Sequence, residues 1–317
     1  MFQWFSVRFG GQRLTSLQSN KEGAIRYVRR AVVALLISCS ALYAGGVGFL
    51  WANETRIVFR NYVSRAAARA GTPVAIATRD GGWADAVRVE LTTADGLRLE
   101  AVRLDAADAA APWVVFFHGS GHSIHNPRVQ VQLAQLHALG YTVLAPEYRG
   151  FGRNEGRPSE AGLYEDASAA YRYVTGEMRV APSRVVLAGR SLGSAVAVEM
   201  ASRFPSAGVV LFSPIDSIPL MGGRMYPWVP VRFLASNRFD SLSKIGRVRA
   251  PVVVVHAVND RWVPLTAARA LFERAVGPKT MLETAGGHNG AGFADVDQLR
   301  DALAAFWPVA VASPATH

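Results

Sequence analysis

Short apolar runs alternate, from Trp113 onwards, with segments of helical periodicity. The runs are WVVFF, YTVLAPEY, RVVLAG, AGVVLFS, PVVVVHA and KTMLETA. Continuous apolar runs of this length are typical of strands that are buried on both faces of a sheet. Strands that alternate with helices build a mostly parallel sheet with helices packed on both faces. The alternation therefore predicts an α/β fold.

A different pattern precedes this alternation. Residues 87–104, VRVELTTADGLRLEAVRL, are two apolar-polar alternations joined by Ala94-Asp95-Gly96. An Asp-Gly pair between two such alternations is a signal for a β-hairpin. We expect this hairpin to supply antiparallel strands at one edge of the sheet.

Residues 214–248 interrupt the alternation and have no clean periodicity. They contain methionine and aromatic side chains among glycines and prolines. Long irregular insertions in compact domains often form lids or binding loops. We expect a short lid or cap in which Met221 and Trp228 contact the substrate. The alternative is that these side chains simply pack on the core.

Residues 31–52, AVVALLISCSALYAGGVGFLWA, contain no charged side chain. As a helix they would span roughly the 30 Å hydrocarbon core of a bilayer. The preceding residues 1–30 carry six basic side chains and one acidic side chain, a net +5 of the total +10. The more basic flank of a membrane span stays in the cytoplasm. We therefore expect a transmembrane anchor with a cytoplasmic N-terminus and a catalytic domain on the opposite, periplasmic or extracytoplasmic, side.

Two alternatives for this apolar run stay open. A signal peptide is one, although its apolar region usually has only about 7–15 residues. The other is a lipoprotein, because Leu36-Ile37-Ser38-Cys39 resembles a cleavage box that ends in a lipidated cysteine. Cys39 is the only cysteine, so neither an intramolecular disulfide nor a cysteine metal cluster can form.

The rest of the chain is divided by its composition. We assign residues 53–85 to a juxtamembrane connector with a helix around residues 62–70. Residues 86–308 are assigned to the catalytic domain and residues 309–317 to a flexible tail. The basic side chains beyond residue 30 are dispersed and match no zinc or RNA-binding signature, which argues against a nucleic-acid partner.

Ser191 lies in the pattern Gly189-Arg190-Ser191-Leu192-Gly193, between the apolar run RVVLAG and a helical segment. A serine nucleophile in a G-x-S-x-G pattern requires this strand-turn-helix context. The alternative is an ordinary serine that caps the helix. We interpret Ser191 as a nucleophile.

Two later residues could complete a catalytic set, and each follows a predicted strand. His288 lies in the glycine-rich loop AGGHNG after the last run, and Asp260 follows the run PVVVVHA. The carboxyl ends of parallel strands share one edge of a sheet, so these side chains should meet there. The order serine, acid, histidine is the α/β-hydrolase order. Asp216 also follows a strand and is the competing candidate for the acid.

The run His118-Gly119-Ser120-Gly121-His122 follows the strand WVVFF. A tight turn there would aim backbone N–H groups at a tetrahedral oxyanion. We assign the N–H groups of Ser120 and Leu192 as donors, with Gly121 as the substitute for Ser120. Gly119 and Gly121 are also expected to contact the substrate, and His118 is expected to order the loop.

Together, the segments FHGSG, YRGFGRNEGRPSE, GRSLGS, NRFDSL, HAVNDRWVP and GGHN resemble a known family. They are similar to the membrane-associated α/β-hydrolases of the bud-emergence type, which are related to dienelactone-hydrolase-like esterases and protein depalmitoylases. The resemblance covers about residues 87–306. It implies an α/β-hydrolase fold, a triad of Ser191, Asp260 and His288, and a structural loop at Tyr148 to Gly152. One departure is Ser120, because many relatives have asparagine after His-Gly.

These observations favour a membrane-anchored serine hydrolase that acts on an ester or thioester without a metal or organic cofactor. Three alternatives stay open, namely a non-catalytic binding protein with the same fold, a serine peptidase, and a haloperoxidase-like or lyase use of the triad. The membrane anchor and the Met- and aromatic-rich insertion suggest acyl chains or other hydrophobic esters as substrates.

Overall fold

The computed structural model describes residues 11–60, 76–77, 83–84, 86–293 and 295–307. Contacts between residues divide the chain into two units, Met1–Asn53 and Glu54–His317. The helix predicted at residues 62–70 and the tail predicted at residues 309–317 lie outside the described residues.

The first unit contains one long helix, α1 (Gly11–Ala52). Within it, Ala24–Ala52 has a mean hydropathy of 2.0, and its length and composition would allow it to cross a membrane. The side chain of Cys39 is exposed on this helix. A signal sequence can have the same length and composition, so α1 is an apolar N-terminal helix of either kind.

The second unit is built on a large sheet. The described residues form eight strands in this sheet, which are β3 (Val87–Thr92), β4 (Arg98–Leu104), β5 (Trp113–Phe117), β6 (Thr142–Pro146), β7 (Val185–Arg190), β8 (Gly208–Phe212), β9 (Val252–Ala257) and β10 (Lys279–Thr284). Their spatial order is β10-β9-β8-β7-β5-β6-β4-β3. A separate antiparallel pair joins β1 (Ile76–Ala77) to β2 (Trp83–Ala84).

The pairing confirms the predicted fold class. Strands β5 to β10 pair in parallel, whereas β4 is antiparallel to β3 and to β6. The predicted hairpin is the β3–β4 pair, in which Val87 lies opposite Arg103. It forms one edge of the sheet, as the sequence predicts.

Helices connect the strands and cover both faces of the sheet. They are α2 (Glu54–Val58), α3 (Pro127–Ala138), α4 (Glu160–Arg172), α5 (Leu192–Arg203), α6 (Ile218–Met225), α7 (Val231–Leu234), α8 (Ser241–Lys244), α9 (Leu265–Arg274) and α10 (Val296–Ala304). A single π-helical turn, Tyr173–Glu177, extends α4. The helices α6, α7 and α8 form within the insertion at residues 214–248.

Alternating side chains of the central strands fill two apolar layers. In β5, Phe116 packs in the layer beneath α3 and α10, and Phe117 packs in the layer beneath α4 and α5. Both side chains are fully buried, and each stabilises the fold by about 2–3 kcal/mol relative to an exposed side chain. This two-sided burial explains why the strands are continuous apolar runs in the sequence.

The start of the second unit is tied to the folded core. Glu54 accepts hydrogen bonds from the backbone N–H groups of Ser236 and Asn237. Phe59 is fully buried and its ring lies edge-on to those of Phe151 and Phe239. Residues 54–60 therefore belong to the packed structure of the second unit.

Candidate active site

Ser191 stands at a sharp turn between β7 and α5. Its backbone has φ 51° and ψ −118°, a left-handed conformation that is costly for any residue with a Cβ atom. The two flanking glycines make the turn possible. A Cβ atom on Gly189 would lie 2.0 Å from the carbonyl oxygen of Gly193, and one on Gly193 would lie 2.0 Å from that of Phe117. The elbow therefore requires glycine at both positions.

The side chain of Ser191 does not cap the helix that it precedes. It makes no capping hydrogen bond to α5. Its hydroxyl instead lies 3.0 Å from Nε2 of His288, as a donor to that nitrogen. The geometry thus favours the nucleophile over the helix-capping alternative.

His288 connects Ser191 to an acid. Its Nδ1 lies 2.6 Å from Oδ2 of Asp260, whose side chain is buried. Burial by itself would raise the pKa of Asp260, but hydrogen bonds from His288 and from the N–H groups of Val263 and Trp262 outweigh it and hold this pKa below its usual value. The carboxylate is therefore ionised at neutral pH and fixes the His288 tautomer with Nδ1 protonated.

Asp216, the competing acid, is engaged elsewhere. Its two carboxylate oxygens accept hydrogen bonds of 2.8 and 2.9 Å from the guanidinium of Arg224 on α6. Its Oδ1 also accepts one from the N–H of Ser217. Asp216 thus orders the start of the insertion and does not contact His288.

Arg190, which precedes the serine, is a site residue that the sequence analysis did not single out. Its buried guanidinium donates to the carbonyl oxygen of His288, at 3.0 Å, and to the side-chain oxygen of Asn289. Burial lowers the pKa of Arg190 to about 10, so it is still charged at neutral pH. Its position in the G-x-S-x-G pattern gave no signal, because that pattern leaves the residue before the serine unspecified.

The loop after β5 lies beside the serine. A Cβ atom on Gly119 would lie 3.3 Å from the Cβ atom of Ser191, so the backbone approaches the nucleophile closely. Gly119, Ser120, Gly121 and Leu192 all line the same cavity as Ser191. The first N–H groups of a helix have no acceptor within it, which leaves the N–H of Leu192 available.

A buried pair supports this loop. Nε2 of His118 lies 2.8 Å from Oε1 of Glu147, and Nδ1 of His118 lies 3.0 Å from the carbonyl oxygen of Gly119. The hydroxyl of Tyr148 donates to the carbonyl oxygen of His118. His118 therefore orders the loop, as expected from the sequence, and Tyr148 lies beside it.

Two other histidines near the site are poor proton acceptors. Burial lowers the pKa of His122 to about 4, and the positive charge of Arg190 acts in the same direction. Burial also lowers the pKa of His256, whose Nε2 donates to the carbonyl oxygen of Val263. Of these three histidines, only His288 contacts both Ser191 and Asp260.

Ser191 opens into a cavity of about 540 Å³, a size typical of small-molecule sites. Much of its wall is apolar, and the apolar lining comprises Ile57, Val58, Leu192, Ile215, Ile218, Met221, Met225, Tyr226, Trp262 and Val263. Met221, which was predicted to contact the substrate, is among these lining residues. Trp228 is outside the lining, although its ring packs edge-on against that of Tyr226. The part played by Ile57 and Val58 was missed, because nothing in a short segment before the sheet signals where it packs.

The sheet order and the hydrogen-bonded serine, histidine and aspartate define a hydrolase-like class of α/β protein. The chain belongs to the alpha/beta hydrolase family, whose family model matches residues 114–240. It is 34% identical over 282 residues to an uncharacterized protein of Mycobacterium tuberculosis, Rv2307c, over 88% of this chain and 96% of that one. It is 27% identical over 215 residues to human alpha/beta hydrolase domain-containing protein 17B, over 65% of this chain and 70% of that one.

Solved structures share the fold. The Pyrococcus furiosus esterase Pf2001 superposes with a TM-score of 0.60 at 18% identity, over 70% of this chain and 92% of that one. The Est1E protein of Butyrivibrio proteoclasticus, solved with ferulic acid bound, superposes with a TM-score of 0.58 at 17% identity, over 69% of this chain and 97% of that one.

Proposed function

We propose that this protein is a serine hydrolase that cleaves carboxylic ester or thioester bonds. The observation that carries the proposal is the chain of hydrogen bonds from Ser191 through His288 to Asp260, with distances of 3.0 and 2.6 Å. A nucleophile, a general base and an orienting acid in this geometry form the arrangement that acyl transfer requires.

The first half of the reaction forms an acyl-enzyme. Ser191 Oγ attacks the acyl carbonyl while His288 Nε2 takes the hydroxyl proton. The ionised Asp260 stabilises the imidazolium that results. The carbonyl oxygen becomes an oxyanion, which accepts hydrogen bonds from the N–H groups of Ser120 and Leu192 at the N-terminus of α5. Collapse of this intermediate expels the alcohol or thiol, which receives the proton from His288.

The second half releases the acid. Water attacks the acyl carbonyl as His288 accepts a proton from it, and the tetrahedral intermediate again places its oxyanion at the two N–H groups. Its collapse frees the carboxylic acid and returns the proton to Ser191. Arg190 donates a hydrogen bond to the carbonyl oxygen of His288. This contact holds the His288 loop and keeps the base aligned through both halves of the reaction.

The cavity supports a hydrophobic acyl or alcohol group in the substrate. Its lining includes Ile218, Met221 and Met225 from the insertion, and flexible methionine side chains adapt to chains of different shape. Of the solved structures that share the fold, Pf2001 is an esterase and Est1E binds ferulic acid. This likeness, together with the apolar lining, makes an ester or thioester our preferred substrate over a peptide.

The proposed hydrolase is anchored to a membrane by residues 31–52, with residues 1–30 in the cytoplasm and the catalytic domain, residues 86–308, on the opposite side. The charge contrast across the span supports this orientation. Residues 214–248 act as a lid or cap over the site.

Hydrolysis of p-nitrophenyl esters of increasing chain length, alongside a palmitoyl-thioester peptide, tests the function. We expect turnover by the wild-type protein that Ser191→Ala abolishes. Ser202→Ala is the matched control, because Ser202 lies at the far end of the same helix, with its hydroxyl bonded to the carbonyl oxygen of Glu199. Undiminished turnover by Ser191→Ala, or no turnover of any ester or thioester by the wild-type protein, would contradict the proposal.

A further inference from the structure

The mouth of the cavity is lined by large apolar side chains. Ile57, Met225 and Trp262 line the cavity and are also exposed to solvent. The same is true of Arg60. A residue that does both lies where the cavity opens. The guanidinium carbon of Arg60 lies 4.9 Å from the centre of the Trp262 ring, so these two side chains stack at the opening.

The apolar surface continues from the mouth onto the insertion. Trp228 is 65% exposed and packs on Tyr226, which lines the cavity. Phe233 on α7 is 73% exposed, and α7 packs against α6, where a Cβ atom on Gly222 would lie 2.7 Å from Cγ1 of Val231. We call this surface the mouth face, and it comprises Ile57, Arg60, Met225, Trp228, Phe233 and Trp262.

The exposed apolar side chains of the mouth face are grouped and not scattered. Single exposed apolar side chains are normal on soluble proteins, but contiguous apolar patches mark interaction surfaces. Here the patch surrounds the opening to a reactive serine. A mouth that admits only water-soluble substrates has no need of two tryptophans and a phenylalanine held in solvent.

Arginine side chains stand in and beside the mouth face. Between residues 217 and 239 the sequence has three arginines and no acidic residue. Arg224 pairs with Asp216. Arg60, Arg232 and Arg261 make no ion pair with any described residue, and Arg232 lies over the ring of Phe233, at 4.3 Å. The surface therefore combines exposed aromatic rings with uncompensated positive charge.

We propose that the mouth face docks on the surface of an anionic phospholipid bilayer. Tryptophan rings favour the boundary between headgroups and acyl chains, and arginine side chains beside them bind lipid phosphates while their stems stay in the apolar layer. Each arginine near an anionic membrane surface adds to the electrostatic attraction.

The sequence favours a bilayer over other partners. Only four residues separate Ala52, the last residue of the apolar helix, from Ile57 at the mouth. This short link does not fix how the folded unit is oriented. If the apolar helix is inserted in a bilayer, the link keeps the mouth face close to that bilayer, so its effective concentration at the membrane surface is high.

Docking has a consequence for the substrate that rests on the proposed function. A mouth set into the headgroup layer receives its ester or thioester from the bilayer, so the acyl chain need not cross water. The substrates would then be membrane lipids or acyl chains attached to membrane-bound molecules.

Fluorescent probes on the full-length protein in vesicles test the docking. In a Cys39→Ser background, a single cysteine is introduced by Phe233→Cys or Trp228→Cys and labelled with an environment-sensitive dye. The control is Val276→Cys. Val276 is an apolar residue that is 54% exposed, and it lies between the end of α9 and the start of β10, at the opposite end of the sheet from the site.

The vesicles contain anionic phosphatidylglycerol, with or without bromine atoms on the acyl chains, or phosphatidylcholine alone. Docking predicts a blue shift and bromine quenching of the dyes at positions 233 and 228, neither of them at 276, and a smaller effect in phosphatidylcholine. Equal quenching at 233 and 276, or no quenching at 233, would overturn the proposal. The dye at position 233 could instead show a blue shift that grows with protein concentration and is not accompanied by bromine quenching. That result would overturn the proposal in favour of contact with a second copy of the chain.

A hydrolysis assay separates docking from the proposed function. Phe233 does not line the cavity, so Phe233→Ser should leave turnover of a short soluble ester unchanged and lower turnover of a bilayer-embedded long-chain ester several-fold. If dyes show docking but no ester is cleaved, the proposed function fails and the docking stands. If both esters are cleaved equally well by wild type and variant and no dye is quenched, the docking fails and the hydrolase function stands.

Discussion

Ser191 has a backbone conformation that costs free energy, and its side chain makes no capping hydrogen bond to the helix that follows. Its φ of 51° places the hydroxyl in the cavity, opposite His288. Strain of this kind persists only where neighbouring contacts hold it, and here the N–H of Ser191 donates to the carbonyl oxygen of Phe212 on the next strand. The sequence pattern predicted this residue because the two glycines that permit the turn are visible in it.

The role proposed for the Ser120 backbone can be separated from that of its hydroxyl group with two variants. Ser120→Pro removes the N–H group, and we expect it to lower kcat about 10²–10³-fold, the usual cost of losing one oxyanion donor. Ser120→Ala is the control, because it keeps the N–H group and should retain activity close to that of the wild type. Steady-state kinetics on one p-nitrophenyl ester measures both. Equal losses in the two variants would place the role in the hydroxyl group instead.

Asp260→Asn should lower kcat about 10³–10⁴-fold with little change in KM, because the amide no longer stabilises the imidazolium or fixes its tautomer. The substitution should also change the pH dependence of stability. The folded state holds the pKa of Asp260 below its usual value, so the unfolded chain binds this proton more tightly. Ionised Asp260 therefore adds stability above about pH 4, and that stability is lost as the pH falls further.

The melting temperatures of wild type and Asp260→Asn, compared in detergent from about pH 7 to about pH 3, measure this contribution. We expect the wild type to be the more stable at neutral pH and the difference to shrink on acidification. A difference that stays constant over the whole range would show that folding leaves the pKa of Asp260 unchanged.

Among the elements, the turn between β7 and α5 determines where the site lies. It brings α5 so close to the sheet that Gly193 meets the backbone of β5. The strands and helices around it were predictable, because burial on both faces leaves continuous apolar runs and short connections. The position of α2, which brings Ile57 into the cavity wall, was not predictable. It depends on contacts with residues about a hundred or more positions away in the sequence, such as the hydrogen bond that Arg157 donates to the Thr55 hydroxyl.

Gly193→Ala tests how tightly the elbow is packed. Its Cβ atom would lie 2.0 Å from the carbonyl oxygen of Phe117, so the helix must move away from the sheet. We expect a loss of about 2 kcal/mol or more in the free energy of unfolding, together with a loss of activity. Gly223→Ala on α6 is the control, because a Cβ atom there meets nothing within 4 Å. Alanine at this helical position should be neutral or stabilising by up to about 1 kcal/mol.

Thermal unfolding followed by circular dichroism, with an ester assay on the same samples, gives both quantities. A Gly193→Ala protein as stable and active as Gly223→Ala would show that the elbow can relax without cost.

For the whole molecule, retention of the apolar helix as an anchor and its removal as a signal peptide predict different mature chains. The composition of residues 31–52 predicted a helix of sufficient length, and α1 contains it. Composition alone does not separate an anchor from a signal peptide, because both bury their apolar side chains in the same bilayer. The distinction depends on cleavage, which leaves no trace in the folded unit.

Expression in a bacterial host, followed by carbonate extraction of membranes and intact-mass measurement, resolves this point. The proposed anchor predicts a full-length chain that stays in the membrane pellet. A mature chain that begins after the apolar helix and is released by carbonate would support a signal peptide. A chain that begins at Cys39 and carries extra lipid mass would support the lipoprotein. Either of the last two outcomes contradicts the anchor.

The central claim is that Ser191 is the nucleophile that receives the acyl group. A fluorophosphonate probe reacts with an activated serine and stays attached, so peptide mass spectrometry of the labelled protein identifies the residue directly. We predict one labelled peptide, modified at Ser191, and loss of labelling in a folded Ser191→Ala protein. Full labelling of that variant, or a modification at another serine in the wild type, would contradict the account.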